Sequence, residues 1–147
     1  MTQTHERYNH AKIYKLVGED PTDFYIGSTC LALRQRLYLH KSASKKKPHR
    51  TVYTHFNALN WQGVKCVLIE EVKCQNKEQL LRRGRHFLDL LNPTLNKRKP
   101  WISHEEFMKS NRERQANWYA KNTDKAKEYQ ANYRAEKKAE RLAEQSA

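Results

Sequence analysis

No run of the chain is apolar for anything near the ~18 residues that span a bilayer, and no charged-then-apolar leader opens it, so a soluble, intracellular protein is expected. Cysteine is scarce as well. Cys30, Cys66 and Cys74 form an odd, widely spaced set without a C-x-x-C pair, which supplies neither a disulfide framework nor a zinc cluster. They read as reduced core thiols. Acidic side chains are the third shortage: 16 Asp and Glu stand against 29 Lys and Arg, a formal charge of +13. Such an excess favours polyanions, because each Lys or Arg set on a phosphate releases condensed counterions. An anionic membrane surface could draw the same charge, but nothing here would insert into it. No membrane partner and no small-molecule cofactor is expected.

The 147 residues suffice for about one domain and an appendage. The positive charge is uneven: residues 1–100 carry a net +11 and residues 101–147 only +2. Residues 1–10 are polar and read as a flexible N-terminus, 11–100 as the domain, and 101–147 as a helical basic and aromatic tail. From Lys12 to Val17 and from Asp23 to Ser28 the chain is rich in β-branched and aromatic residues, with turn chemistry at residues 18–22 between them. This predicts a β-hairpin with Tyr14 and Tyr25 opposite or nearly opposite. Leu31 to Lys46 reads as a helix with Arg36 and His40 on one stripe, four residues apart. A shorter helix is expected over Thr51 to Trp61. Val64 to Val72 then reads as a central strand, apolar toward both faces around Val67 to Ile69. Asn76 with Gln79 resembles a capping box, opening a third helix that buries Leu80, Leu81, Phe87, Leu88 and Leu91. Ser103 with Glu106 is another such start, for the tail. In the tail Gln115-Ala116-Asn117-Trp118 recurs as Gln130-Ala131-Asn132-Tyr133. Two copies do not make a solenoid.

Cleaving a phosphodiester needs a water nucleophile, a group to take its proton, positive charge on the developing phosphorane and help for the leaving oxygen. Tyr14 or Tyr25 could serve as base if a nearby cation lowers a phenol pKa from about 10. Arg36 is permanently charged and can grip a phosphate oxygen with two parallel donors. His40 could bond the phosphate or relay a proton. Each residue alone is more often packing or solvated surface; their joint order on a hairpin and a helix is what points to chemistry.

The runs Lys12-Ile13-Tyr14 and Tyr25-Ile26-Gly27-Ser28-Thr29, followed by Arg36, His40 and Asn96, resemble the GIY-YIG nuclease superfamily across about ninety residues. Lys12 stands where the first motif usually has glycine. The resemblance implies an α+β fold, a small three-stranded antiparallel sheet flanked by helices, here with a C-terminal helical tail. It also implies a DNA endonuclease, of the phage, large-DNA-virus or homing type, that hydrolyses phosphodiesters with one divalent metal, usually Mg2+ (or Mn2+), held by a glutamate. The position of that glutamate is Gly84 in this sequence. Gly84 is odd in its own right, since a mid-helix glycine costs about 1 kcal/mol against alanine and this one lies on the inward stripe. Close helix–sheet packing is the bland explanation. Against it stand Arg82, Arg83 and Arg85, which a carboxylate there would have compensated. A metal would then be held only with the glutamate restored, whether its loss is natural or deliberate. Tyr14, Tyr25, Arg36, His40 and Asn96 are thus the candidate catalytic residues, with Gly84 a vacated metal position. Lys12, Lys45, Lys46, Lys47, Arg82, Arg85, Lys97, Arg98, Lys99, Trp118 and Lys121 are the candidate DNA contacts. The rival readings are a non-catalytic DNA-binding or regulatory protein on a nuclease scaffold and an RNA-binding accessory factor using its basic patches alone.

Overall fold

The computed structural model describes residues 6–145, which form two compact units, one ending at Trp101 and the other starting at Ile102. Residues 1–5 of the stretch read as flexible lie outside the described residues. Glu6–Tyr8 forms a 3-10 turn that buries Tyr8, whose carbonyl accepts the Cys74 N–H at 3.0 Å.

The first unit is α+β. Strands β1 (Ala11–Val17) and β2 (Phe24–Thr29) make the expected hairpin, helices α1 (Leu33–Lys46) and α2 (Thr51–Ala58) follow, and β3 (Lys65–Val72) and α3 (Lys77–Leu91) complete it. The antiparallel sheet has the order β2-β1-β3. Its middle strand is therefore β1, and β3 is an edge. This corrects the reading of Val64 to Val72 as a strand covered on both sides: Val67 is 36% and Leu68 44% exposed. An apolar run records hydrophobicity but not where long-range pairing puts the strand. Burial on both faces falls instead to β1. Ile13 packs with Ile26, Cys74 and Leu80 on one face, while Tyr14 and Leu16 pack with Val52, Tyr53, Phe56 and Leu95 on the other.

The hairpin register pairs Tyr14 with Gly27 and Leu16 with Tyr25. The two phenols share a face, one diagonal step apart instead of directly opposite, because residues 18–23 all belong to the connection. Asp20 Oδ1 accepts the Thr22 N–H inside it at 2.9 Å. Helix α2 stops three residues before Trp61, since Asn60 and Trp61 take positive φ. At α3, Asn76 Oδ1 accepts the Gln79 N–H at 3.0 Å, and Gln79 reaches back to the N–H of Gln75 rather than of Asn76. The helix ends on Asn92 in the left-handed region, and Leu91, its last residue and expected in the core, is 42% exposed.

Beyond α3 the chain returns to the open side of β2. Leu95 N–H bonds Phe24 O at 3.2 Å. Asn96 then takes both outward polar groups of Ile26, accepting its N–H and donating to its carbonyl, each at 2.8 Å. One amide side chain thereby imitates a strand and fixes the path of Lys97, Arg98 and Lys99.

The second unit consists of α4 (His104–Lys121), opened by the complete Ser103–Glu106 capping box, and α5 (Thr123–Gln145). The tail is thus two helices broken at Asn122. The fifteen-residue repeat places one copy on each. No described helix is long and apolar enough to cross a membrane.

Candidate active site

A cavity of about 790 Å³ opens in the first unit among α1, α2, α3, β2 and the segment after α3. Tyr25, Arg36, His40, Gly84 and Asn96 all line it, and Tyr14 sits directly behind Arg36 and His40. The hairpin supplies the two phenols, and one turn of α1 supplies the cation and the imidazole.

Tyr14 is fully buried, and its Oη accepts from Arg36 Nε at 2.8 Å and lies 2.7 Å from His40 Nε2. The other imidazole nitrogen, Nδ1, lies 3.2 Å from Tyr53 Oη. The rings of Tyr14, Tyr25 and Tyr53 all meet His40 edge-on, with centroids 5.9, 5.8 and 5.9 Å away. Such a cage excludes water from the imidazole. Burial, with Arg36 alongside, pushes the His40 pKa down to about 3, so it is neutral at physiological pH. Burial also raises both Tyr14 and Tyr25, outweighing the pull of Arg36. The condition set for a phenolate base, a cation that lowers a phenol pKa, is not met in the free chain; both phenols stay protonated near neutrality.

Tyr53 escaped the sequence reading. The only signal was its position three residues before Phe56 on a short amphipathic helix, which reads as packing. His49, Arg50 and Lys77 also line the cavity without having been singled out.

The cation candidates divide. Lys47, Lys97, Arg98 and Lys99 line the cavity beside Arg36, Arg50 and Lys77. Lys45 and Lys46 lie exposed at the end of α1 and do not line it. Lys12 donates to His10 O at 2.8 Å, also away from it. Arg82 is paired with Glu78 and stacked on Trp101, and Arg85 is paired with Asp89 and donates to Trp101 O. Trp118 and Lys121 belong to the second unit, exposed on α4.

Gly84 is buried, and a Cβ added there would meet only Ile13 Cδ1 and Pro100 Cγ, both at 3.9 Å. That is ordinary contact, so close packing does not require glycine. Nor does charge call for a carboxylate at Gly84. Arg82, Arg83 and Arg85 already have carboxylates, in Glu78, Glu70 and Asp89, and leave no uncompensated cluster around Gly84. Glu71 is likewise turned to His10.

No Asp or Glu lines the cavity, and no group of three His, Cys, Asp or Glu among the described residues is arranged to hold a metal ion. A divalent cation would meet Arg36, Lys47, Arg50 and Lys77 in a lining that holds no carboxylate. The residues present therefore do not fit such an ion. They fit the oxygens of a phosphate backbone.

The family model of the GIY-YIG catalytic domain matches residues 10–99. No curated protein and no solved structure matches the chain.

Proposed function

The chain belongs to the GIY-YIG catalytic domain family, which implies a nuclease, and on that premise we propose that it is a DNA endonuclease framework whose metal-binding glutamate is replaced by Gly84. The single observation that carries this reading is the position of Gly84. It lines the same cavity as Tyr25, Arg36, His40 and Asn96, would take a Cβ without a clash, and leaves that cavity without a carboxylate. In the restored form one Mg2+ or Mn2+ would be held there; in the chain as it stands the lining gives no step that depends on one.

What this chain's own residues do follows from their bonds. Arg36 commits Nε to Tyr14, which aims the guanidinium and leaves its terminal amino groups for a non-bridging phosphate oxygen. Tyr25, on the wall, orients water or the phosphate as a hydroxyl donor. Tyr14 acts only through Arg36 and His40, because its oxygen is sealed behind them. Asn96 holds the wall of β2 in place and sets the 97–99 cations along the rim. With both phenols protonated and no carboxylate at hand, nothing takes the water's proton efficiently, and this form is impaired in cleavage while competent to bind.

The Gly84→Glu variant tests this. Supercoiled plasmid incubated with it and Mg2+ should become nicked, and the unsubstituted chain should leave it intact. A folded Gly84→Glu chain as inert as its parent would defeat the reading. The cation-only lining favours one alternative, a DNA-binding or regulatory protein that keeps the nuclease shape; salt-sensitive DNA binding with no cleavage by either form would select it.

A further inference from the structure

Four polar groups stand in a row from Arg36 to Tyr53, and the row has a direction. Arg36 Nε can only donate, so Tyr14 Oη accepts there. Tyr14 is fully buried, and the other polar group bonded to its oxygen is His40 Nε2. Suppose His40 carried its proton on Nε2. Tyr14 Oη would then accept twice, and its own hydrogen would be left among apolar side chains, an uncompensated loss for a buried donor. With the proton on Nδ1, Tyr14 O–H donates to Nε2 and Nδ1–H donates to Tyr53 Oη, and the one hydrogen left over is that of Tyr53, which borders the cavity, not that of Tyr14, which does not. Tyr53 oxygen, having accepted, turns its own hydrogen away from His40. Tyr53 is buried but lines the cavity, which is the side left for that hydrogen. An imidazolium would recreate the clash at Tyr14, and its burial beside Arg36 opposes it further.

We propose that Tyr53 is a positioning residue that holds His40 in its Nδ1–H tautomer and, as the last member of the row Arg36–Tyr14–His40–Tyr53, presents a hydroxyl donor to a phosphate oxygen in the cavity. The first half concerns the free protein. The second rests on the nucleic-acid reading above.

Long-range 1H–15N correlation spectra of the 15N-labelled full chain near neutral pH report the tautomer directly. His40 Nδ1 should show the signal of a protonated nitrogen and Nε2 that of an unprotonated one. The reverse assignment, or an averaged pair, overturns the proposal whatever any variant does. In Tyr53→Phe the preference for Nδ1–H should relax toward the other tautomer or a mixture; a folded Tyr53→Phe chain with an unchanged pure Nδ1–H tautomer would remove Tyr53 from the role. For the second half, affinity for a short DNA duplex at fixed salt should fall roughly tenfold in Tyr53→Phe, the size of one hydrogen bond to a charged group. Unchanged affinity overturns the outward donor. An unsubstituted chain that binds no DNA would overturn the functional reading and that donor with it, and would leave the tautomer result standing.

Discussion

A Cβ on Gly27 would lie 2.6 Å from Tyr14 Cζ and run into Tyr14 Oη, whereas one on Gly84 would touch nothing closer than 3.9 Å. Both glycines line the same cavity, and packing accounts for only one of them. The third residue of the Tyr-Ile-Gly run is glycine because the phenol of its cross-strand partner lies across it. Gly27→Ala should therefore destabilise the fold by about 1–3 kcal/mol, the usual penalty for overpacking, and loosen the Tyr14–His40 bond. Gly84→Ala should stabilise it by about 0.5–1 kcal/mol, since the helix gains propensity and the unfolded chain loses freedom. Urea unfolding of the two variants beside the parent checks both signs. A destabilised Gly84→Ala would mean that the helix needs glycine there for its packing. Single-residue reasoning on the sequence could mark Gly84 as unexplained but could not see that its three neighbouring arginines were already paired. Those partners lie on β3 and along α3, and only the folded chain reveals which acid each arginine takes.

At the scale of elements, the site depends on how β2 is bordered. One edge pairs with β1; the other is held by Leu95 and by the side chain of Asn96, which satisfies both Ile26 backbone groups. Asn96→Ala leaves those two groups without their partners and should cost about 1–3 kcal/mol. The amide hydrogen of Ile26 should then exchange markedly faster. Protection at Ile26 that survives the substitution would show the edge to be held by other means. The elements themselves were largely legible: the hairpin, three helices of the first unit and both capped helix starts follow from periodicity and cap chemistry. The order of the strands was not. Val67 to Ile69 looks like an interior strand by composition, yet pairing across more than fifty residues of sequence sets it at the edge. Tyr53 was hidden for a related reason, because its role depends on α2 packing beside α1 and not on any local pattern.

For the molecule as a whole, charge is distributed unevenly between the units. The first 100 residues carry a net +11 and the remainder +2, and seven of the first unit's Lys and Arg side chains line its cavity. Deleting residues 103–147 should therefore leave the slope of log affinity for duplex DNA against log salt concentration within about one unit of the full chain's, each lost phosphate contact being worth about 0.9. Fluorescence anisotropy over a salt series measures this. A larger fall would move the main contacts to the aromatic and basic side chains of α4 and α5. The convergence of Tyr25, Arg36 and His40 was readable from their order along the chain, because a hairpin followed by a helix brings such positions together; Asn96 came only with the family resemblance. The destination of each surface cation was not, and side chains as alike as Lys45 and Lys47 end on different surfaces.

The roominess around Gly84 also bears on heredity. Glycine and glutamate codons can differ by one middle base, and a Cβ at this position meets only ordinary contacts. On the proposed reading, a silent scaffold and a cutting one are adjacent genotypes. A replicating gene could pass between them by a single transition, with no rebuilding of the helix around it.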